Sequence, residues 1–248
     1  RAVARSVTFP SLHVPCYYSE EKERLIVLRR TFHQKPELSF KEHDTSSIVK
    51  EELQSLGYET EEVVGTGVVA LLDTGREGRT IMLRADLDAL PIQEENTHDY
   101  CSQNAGVMHA CGHDGHTAIM LTVARVLKRC EEDLVGKIYF VFQPAEECGG
   151  GAEAMIADGL LERLKPDCCG GLHLWSEEPT GMILSTPGPF MASTDCFEVE
   201  VRGKGGHGAV PHHSDDSIVV AAQMIGALQT VVSRRVDPEQ SSVLTVGM

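Results

Sequence analysis

Short apolar runs alternate with amphipathic helical segments between residues 20 and 174, and this order most constrains the fold. The helical period predicts four helices, at 20–33, 43–56, 115–129 and 151–158. Between them lie the predicted strands, at 68–72, 81–84, 137–142 and 169–174. Such alternation is typical of the α/β class, with a central, mostly parallel sheet flanked by helices. With 42% hydrophobic residues, the 248-residue chain can bury such a core.

The composition changes at Pro187-Gly188-Pro189, which predicts a linker. Beyond it the pattern predicts a strand, a helix and a second strand, at 196–201, 216–232 and 242–246. We therefore expect one domain at 1–190 and the beginning of a smaller α+β domain at 191–248. Because the chain lacks an initiator Met and stops within a predicted strand, we expect both domains to be incomplete.

Charge and cysteine content limit the partners and the compartment. The formal net charge of −15 disfavours nucleic acid and anionic membranes as partners. The eight cysteines are irregularly spaced, so reduced thiols in a cytoplasmic protein are favoured over a disulfide framework. No apolar stretch is expected to reach the ~20 residues of a membrane span. Residues 1–19 are basic, and a ragged N-terminus is favoured over the remnant of a targeting peptide.

Metal-binding side chains follow the predicted strands or precede a predicted helix. Cys111 and His113 flank one glycine before the third helix, Glu147 follows the third strand, and His173 ends the fourth. In α/β sheets ligands bind beyond the carboxyl ends of strands, so these side chains are expected to converge. Together they suit zinc or manganese, and a thiolate favours zinc. A buried cysteine beside a turn histidine is the alternative for the first pair.

Glu146 and Glu147 are expected to have separate roles. Adjacent side chains of an extended segment point apart, so one carboxylate can bind metal while the other faces water. We assign Glu146 as the general base, since a carboxylate can accept a proton from metal-activated water. A solvated acidic loop is the alternative, which Pro144 and the glycines at 149–151 disfavour by predicting a tight turn.

Other polar residues near these segments have less specific interpretations. Asp86 and Asp88 are either metal ligands or hydrogen-bond acceptors that orient a histidine, and we favour the second role. Asp114 is expected to cap the third helix. His109 and His116 are as compatible with a structural role as with a functional one.

His207 lies between glycines in Gly205-Gly206-His207-Gly208, within the second predicted domain. A histidine in an exposed turn can lack any function. If this domain acts as a lid, however, His207 can stabilise a developing oxyanion. We therefore include His207 with Glu146 as a candidate catalytic residue.

Five ordered motifs carry a resemblance to a known family: Leu83–Pro91 (LRADLDALP), Met108–His116 (MHACGHDGH), Phe142–Glu147 (FQPAEE), Gly171-Leu172-His173, and Gly203–His207 (GKGGH). Together they resemble the amidohydrolase branch of the aminoacylase/carboxypeptidase family of metallopeptidases. Hippurate hydrolases, N-acetyl-diaminopimelate deacetylases and plant auxin-conjugate hydrolases belong to that branch. The resemblance covers approximately residues 20–248.

The resemblance implies a zinc-peptidase-like catalytic domain interrupted by a smaller lid domain that also forms a homodimer. It implies two metal ions, and four positions match family ligands: Cys111, His113, Glu147 and His173. Glu146 matches the general base, and His207 matches a lid histidine that reaches the partner's active site in dimeric relatives. The family's remaining histidine ligand follows the lid and has no counterpart here. Cys148 is a further departure, since relatives often have glycine there.

We therefore expect metal-dependent hydrolysis of the amide bond in small N-acyl amino acids. A dipeptidase or aminopeptidase on the same scaffold is one alternative. A catalytically incomplete metal-binding fragment is another, favoured by the missing ligand.

Overall fold

The structure is a computed structural model that describes residues 14–147 and 149–247, with side chains from Ser19 onward. The predicted ragged N-terminus lies largely outside these residues, as does Cys148. The chain divides into two compact units, with the boundary between Leu184 and Ser185. The domain limit at residue 190 stays a prediction.

Unit 1 contains the helices α1 (Val14–Gln34), α2 (His43–Ser55), α3 (His113–Arg129), α4 (Gly151–Ala157) and α5 (Leu160–Leu164). Its strands are β1 (Thr60–Val63), β2 (Gly67–Asp73), β3 (Thr80–Asp86), β4 (Lys137–Gln143) and β5 (Cys168–Gly171). The strand predicted at 169–174 therefore ends earlier, and His173 lies in the following loop. In this loop the N–H of Leu174 donates to His116 rather than to a neighbouring strand.

The five strands form one sheet in the order β1-β2-β4-β3-β5. β3 is parallel to β4 and β5, whereas β2 is antiparallel to β1 and β4. The α/β class with one central sheet flanked by helices is confirmed, and the sheet is mixed. A three-residue connection between Val63 and Gly67 permits only antiparallel pairing. The acidic run at 59–62 belongs largely to this edge strand, where charge disfavours pairing with another chain.

Helices cover both faces of the sheet. Alternate residues of β4 divide between them: Phe140 packs with Leu53 and the α1–α3 side, whereas Val141 packs with Met155 on the α4–α5 side. Phe140 is fully buried, which stabilises the fold by about 1.5–3 kcal/mol relative to an exposed ring. The sheet is thus buried on both faces.

The parallel strands determine where the candidate site forms. β3, β4 and β5 run in the same direction, so their carboxyl ends share one edge of the sheet. Asp86 ends β3, Gln143 ends β4 and Gly171 ends β5. The segments that follow these residues carry the chemistry predicted from the sequence.

Unit 2 contains the helix α6 (Ser217–Arg235), close to the predicted limits. Asp216 caps it, because its Oδ1 accepts hydrogen bonds from the backbone N–H groups of Ile218 (3.0 Å) and Val219 (3.2 Å). The predictions of strands at 196–201 and 242–246 are wrong for the described residues, since neither segment forms a ladder. Without a partner strand, an alternating segment has nothing to pair its backbone groups.

Contrary to the sequence expectation, α6 is long and apolar enough to cross a membrane by length and composition. Its 18-residue window has a mean hydropathy of 1.3 and is 0% buried. The finding concerns length and composition alone.

Candidate metal centre

The loop before α3 and the loop after β5 bring Cys111 and His173 together. The Cys111 Sγ atom lies 3.3 Å from His173 Nε2. The Nδ1 atom of His173 lies 2.6 Å from the carbonyl oxygen of Leu174, to which it donates as the Nδ1–H tautomer. That tautomer leaves the Nε2 lone pair to accept from the Cys111 thiol, and loss of the thiol proton would leave both atoms able to bind one ion.

His113 lies at the centre of the cluster. It is the first residue of α3, and Gly112 before it has φ of +86°, a conformation that favours glycine. His113 Nδ1 donates to the carbonyl oxygen of Asp88 at 2.9 Å, so Nε2 carries the lone pair. This Nε2 lies 3.8 Å from Glu147 Oε1 and 3.9 Å from Glu146 Oε2.

A strained turn after β4 presents the two glutamates. Ala145 has φ of +49°, and a Cβ atom on Gly151 would lie 1.8 Å from the carbonyl oxygen of Pro144. The fully buried carboxylate of Glu42 stabilises the turn by accepting the Ala145 N–H at 2.8 Å. The side chain of Glu146 is 41% exposed and that of Glu147 15% exposed, so the two carboxylates differ in access to water.

The unpaired atoms of this cluster fit a cation. His113 Nε2 and Glu147 Oε1 are buried and have no hydrogen-bond partner among the described residues. A buried polar atom without a partner lowers the stability of the folded state, so such atoms are usually paired. A thiol, two imidazoles and a carboxylate are also the donor types of zinc sites. The residues therefore fit a divalent metal ion, and His113 shares candidate ligand groups with Cys111 and His173 and with Glu146 and Glu147.

Burial and negative charge shape the protonation of the cluster. Burial, together with the charge of Glu147, raises the pKa of the Cys111 thiol to about 12. Burial also raises the pKa of Glu147. A cation reverses this effect, because a coordinating thiol is deprotonated by the ion's charge.

His116 connects Asp86, at the end of β3, to the loop that carries His173. His116 Nδ1 donates to Asp86 Oδ1 at 2.6 Å, and His116 Nε2 accepts from the backbone N–H of Leu174 at 2.9 Å. Both nitrogens are therefore engaged, and His116 holds the loop that carries His173. Arg84 forms an ion pair with the other oxygen of Asp86 at 2.8 Å.

Asp88 connects the segments after β3 and β4. Its Oδ2 accepts hydrogen bonds from Ser39 Oγ at 2.7 Å and from the backbone N–H of Glu147 at 3.0 Å. The Asp86 carboxylate therefore orients His116, in the role favoured for it, whereas His113 is oriented by the main-chain carbonyl of Asp88. The predicted cap by Asp114 is wrong, because α3 has no side-chain cap hydrogen bond. Asp114 instead pairs with Arg29 at 2.8 Å.

A family model for the peptidase family M20/M25/M40 matches residues 82–247. The chain belongs to the peptidase family M20/M25/M40. The match includes parts of both units and every predicted site residue.

This M20/M25/M40 chain is similar to a curated relative in sequence and to solved structures in fold. It is 48% identical over 229 residues to an N-acyl-L-amino acid amidohydrolase of Geobacillus stearothermophilus, covering 92% of the chain and 61% of the relative. It matches a crystal structure described as an aminohydrolase from methicillin-resistant Staphylococcus aureus, with TM-score 0.76 and 38% identity over 95% of this chain and 63% of that one. Bacillus subtilis YXEP, described as a dinuclear metal binding peptidase from the M20 family, matches with TM-score 0.61 and 37% identity over 67% and 46%.

The chain spans 56% to 61% of the length of the first curated relatives it matches. The structure of this M20/M25/M40 chain brings Cys111, His113, Glu146, Glu147 and His173 close together. His207 belongs to unit 2, where it is exposed and its Nδ1 accepts from the backbone N–H of Ala209 at 3.1 Å. Its catalytic role stays a prediction.

Sequence reasoning missed the residues that support this M20/M25/M40 site. Glu42 and Ser39 lie far from the glutamates in sequence, and neither belongs to a recognisable ligand pattern. An acidic residue just before a predicted helix was the only available signal for Glu42, and it is equally typical of a solvated helix end.

Proposed function

We propose that the protein carrying these residues hydrolyses the amide bond of small N-acyl amino acids with two divalent metal ions, zinc or manganese. The observation that carries this proposal is the convergence of Cys111, His113, Glu147 and His173, with the unpaired Nε2 and Oε1 atoms of two of them. The amidohydrolase relative and the dinuclear relative support the substrate class and the metal count. These four residues would hold the metal.

When bound, the metal supplies Lewis-acid polarisation of the amide carbonyl and lowers the pKa of water. Glu146, the more exposed glutamate, takes the proton from the attacking water and passes it to the leaving amine. Its Oε2 atom lies 3.9 Å from His113 Nε2, so its carboxylate borders the proposed metal position.

His207 completes the proposal by stabilising the oxyanion of the tetrahedral species. We propose that it does so from the lid unit, within a homodimer. The compartment that best fits the thiols is the cytoplasm. The six cysteines whose side chains the structure describes are free: Cys101, Cys111, Cys130, Cys168, Cys169 and Cys196.

The test uses the full-length protein, stripped of metal and reloaded with zinc or manganese. N-acyl amino acids are assayed against dipeptides with a free amino group. Glu146→Gln is expected to keep its metal and lower kcat by about 10²–10⁴-fold, the usual contribution of a general base. Glu153→Gln, at an exposed position on α4, is the matched control.

Near-normal turnover of Glu146→Gln would refute the base assignment. Preference for dipeptides would favour a peptidase on this scaffold. Metal binding without hydrolysis of either class would favour a non-catalytic metal-binding protein.

A further inference from the structure

A second group of metal-binding side chains lies where the end of α1 meets the loop before Cys111. It consists of His33, Glu94 and His98, whose candidate ligand atoms lie within 4.8 Å of one another. None of them belongs to the predicted site. We propose that these three residues form an additional zinc site.

The donor spacing fits a tetrahedral ion. His33 Nε2 lies 3.2 Å and His98 Nε2 lies 3.5 Å from the same oxygen, Glu94 Oε1. Two ligands bound at 2.0–2.1 Å in tetrahedral geometry are about 3.3 Å apart. An ion can therefore enter with small movements of the three side chains. Two imidazoles and one carboxylate leave a fourth position for water.

Both imidazoles have a second contact that orients the ring. His33 Nδ1 lies 2.7 Å from Asp114 Oδ2, and His98 Nδ1 lies 3.2 Å from Cys101 Sγ. A metal-binding histidine commonly donates its other N–H to a carboxylate or similar acceptor, which directs the lone pair at the ion. Tyr100 also stacks on the His98 ring at 3.8 Å between centroids.

Burial and charge support a cation at this position. The side chains of His33 and Glu94 are 3% and 2% exposed, whereas that of His98 is 31% exposed and provides access from solvent. Glu94 Oε1 also accepts from Asn96 Nδ2 at 2.9 Å, which leaves it one further lone pair. Arg29 neutralises Asp114, so the charge available to the ion comes from Glu94.

In the alternative arrangement, a proton on His33 rather than a zinc ion joins His33 to Glu94. The hydrogen bond to Asp114 raises the pKa of His33, and a protonated His33 would donate to both Asp114 and Glu94. Zinc would displace that proton from Nε2. The two arrangements differ in zinc stoichiometry, which can be measured without any enzymatic assay.

The test is a zinc titration of the metal-free chain, with stoichiometry from elemental analysis and affinity from chelator competition. His98→Ala is expected to remove one zinc equivalent, or to weaken its binding at least tenfold. His212→Ala, an exposed histidine of unit 2, is the matched control and should bind as the wild type does. Glu94→Gln provides a second variant of the site.

The same pair of titrations in a Cys111→Ala background separates this site from the proposed catalytic centre. The Cys111→Ala variant with His98 intact should still bind this zinc equivalent. Adding His98→Ala should then remove it. Zinc-dependent shifts of the His98 ring resonances in NMR spectra provide a structural readout. Equal zinc counts and affinities in His98→Ala and His212→Ala, with unshifted ring resonances, would overturn the proposal and favour the proton-mediated pair.

Discussion

The Sγ atom of Cys111 and the Nε2 atom of His173 lie 3.3 Å apart, although 62 positions separate them in the chain. The contact joins the loop before α3 to the loop after β5. It exists because β5 lies beside β3, and the last residue of β3, Asp86, accepts hydrogen bonds from His116 and Thr117 of α3.

Cys111→Ser should change metal preference more than overall fold. A hydroxyl oxygen is a harder and weaker ligand than a thiolate, so zinc affinity should fall at least tenfold while manganese affinity changes less. Competition with a chromophoric chelator measures both. Cys196→Ser, at an exposed position, is the control. Unchanged affinity for both metals would remove Cys111 from the ligand set.

His116→Ala should weaken the metal site without removing a proposed ligand. The substitution leaves Asp86 Oδ1 and the N–H of Leu174 without their shared partner, so His173 loses its fixed position. Loss of such an orienting contact typically lowers metal affinity by about 10–100-fold. His43→Ala, on the exposed side of α2, is the control. Wild-type affinity in a folded His116→Ala variant would contradict the positioning role.

Glu42→Ala should destabilise the turn that carries the two glutamates. The Glu42 carboxylate accepts from the Ala145 N–H and from Thr66 Oγ1, and each buried donor left unpaired costs about 1–3 kcal/mol. Urea unfolding measures the change in the free energy of unfolding. Glu51→Ala, exposed on α2 just beyond Glu42, should cost far less. Equal losses in the two variants would show that Glu42 does not support the turn.

Tyr58 should make the fold sensitive to alkaline pH. Its hydroxyl donates to the carbonyl oxygen of Ala124 at 2.8 Å, and burial, with a smaller contribution from Glu131, raises its pKa above the ordinary value. The raised folded-state pKa means that this contribution to stability is complete below about pH 10, the unfolded pKa, and is lost as pH rises above it.

Tyr58→Phe should cost about 1 kcal/mol at pH 8, the typical net contribution of one hydrogen bond. Above pH 10 the difference from the wild type should shrink by up to about 1.4 kcal/mol per pH unit. Unfolding curves between pH 8 and pH 11 test this. A difference that stays constant over that range would show that ionisation of Tyr58 is not linked to folding.

The sequence alone was sufficient for the α/β class, for most helix and strand positions of unit 1, and for the candidate ligands. Apolar periodicity indicates which face of an element is buried, and motifs such as Cys111–His113 can be recognised from neighbouring residues alone. Prediction from the sequence failed where stability depends on a distant partner. The segment β1 pairs with a neighbouring strand, whereas the segments at 196–201 and 242–246 do not. The sequence cannot distinguish these cases, because the difference lies in whether a partner strand is adjacent.

Residue types and their order along the chain were therefore enough to name Cys111, His113, Glu147 and His173 as one set. Only the tertiary structure decided that His116 holds the His173 loop, that Glu42 supports Ala145, and that His33 lies beside Glu94. These contacts join positions separated by 58, 103 and 61 residues. Hydrogen bonds act over about 3 Å, so a sequence pattern cannot specify which distant atoms meet until the sheet has placed them.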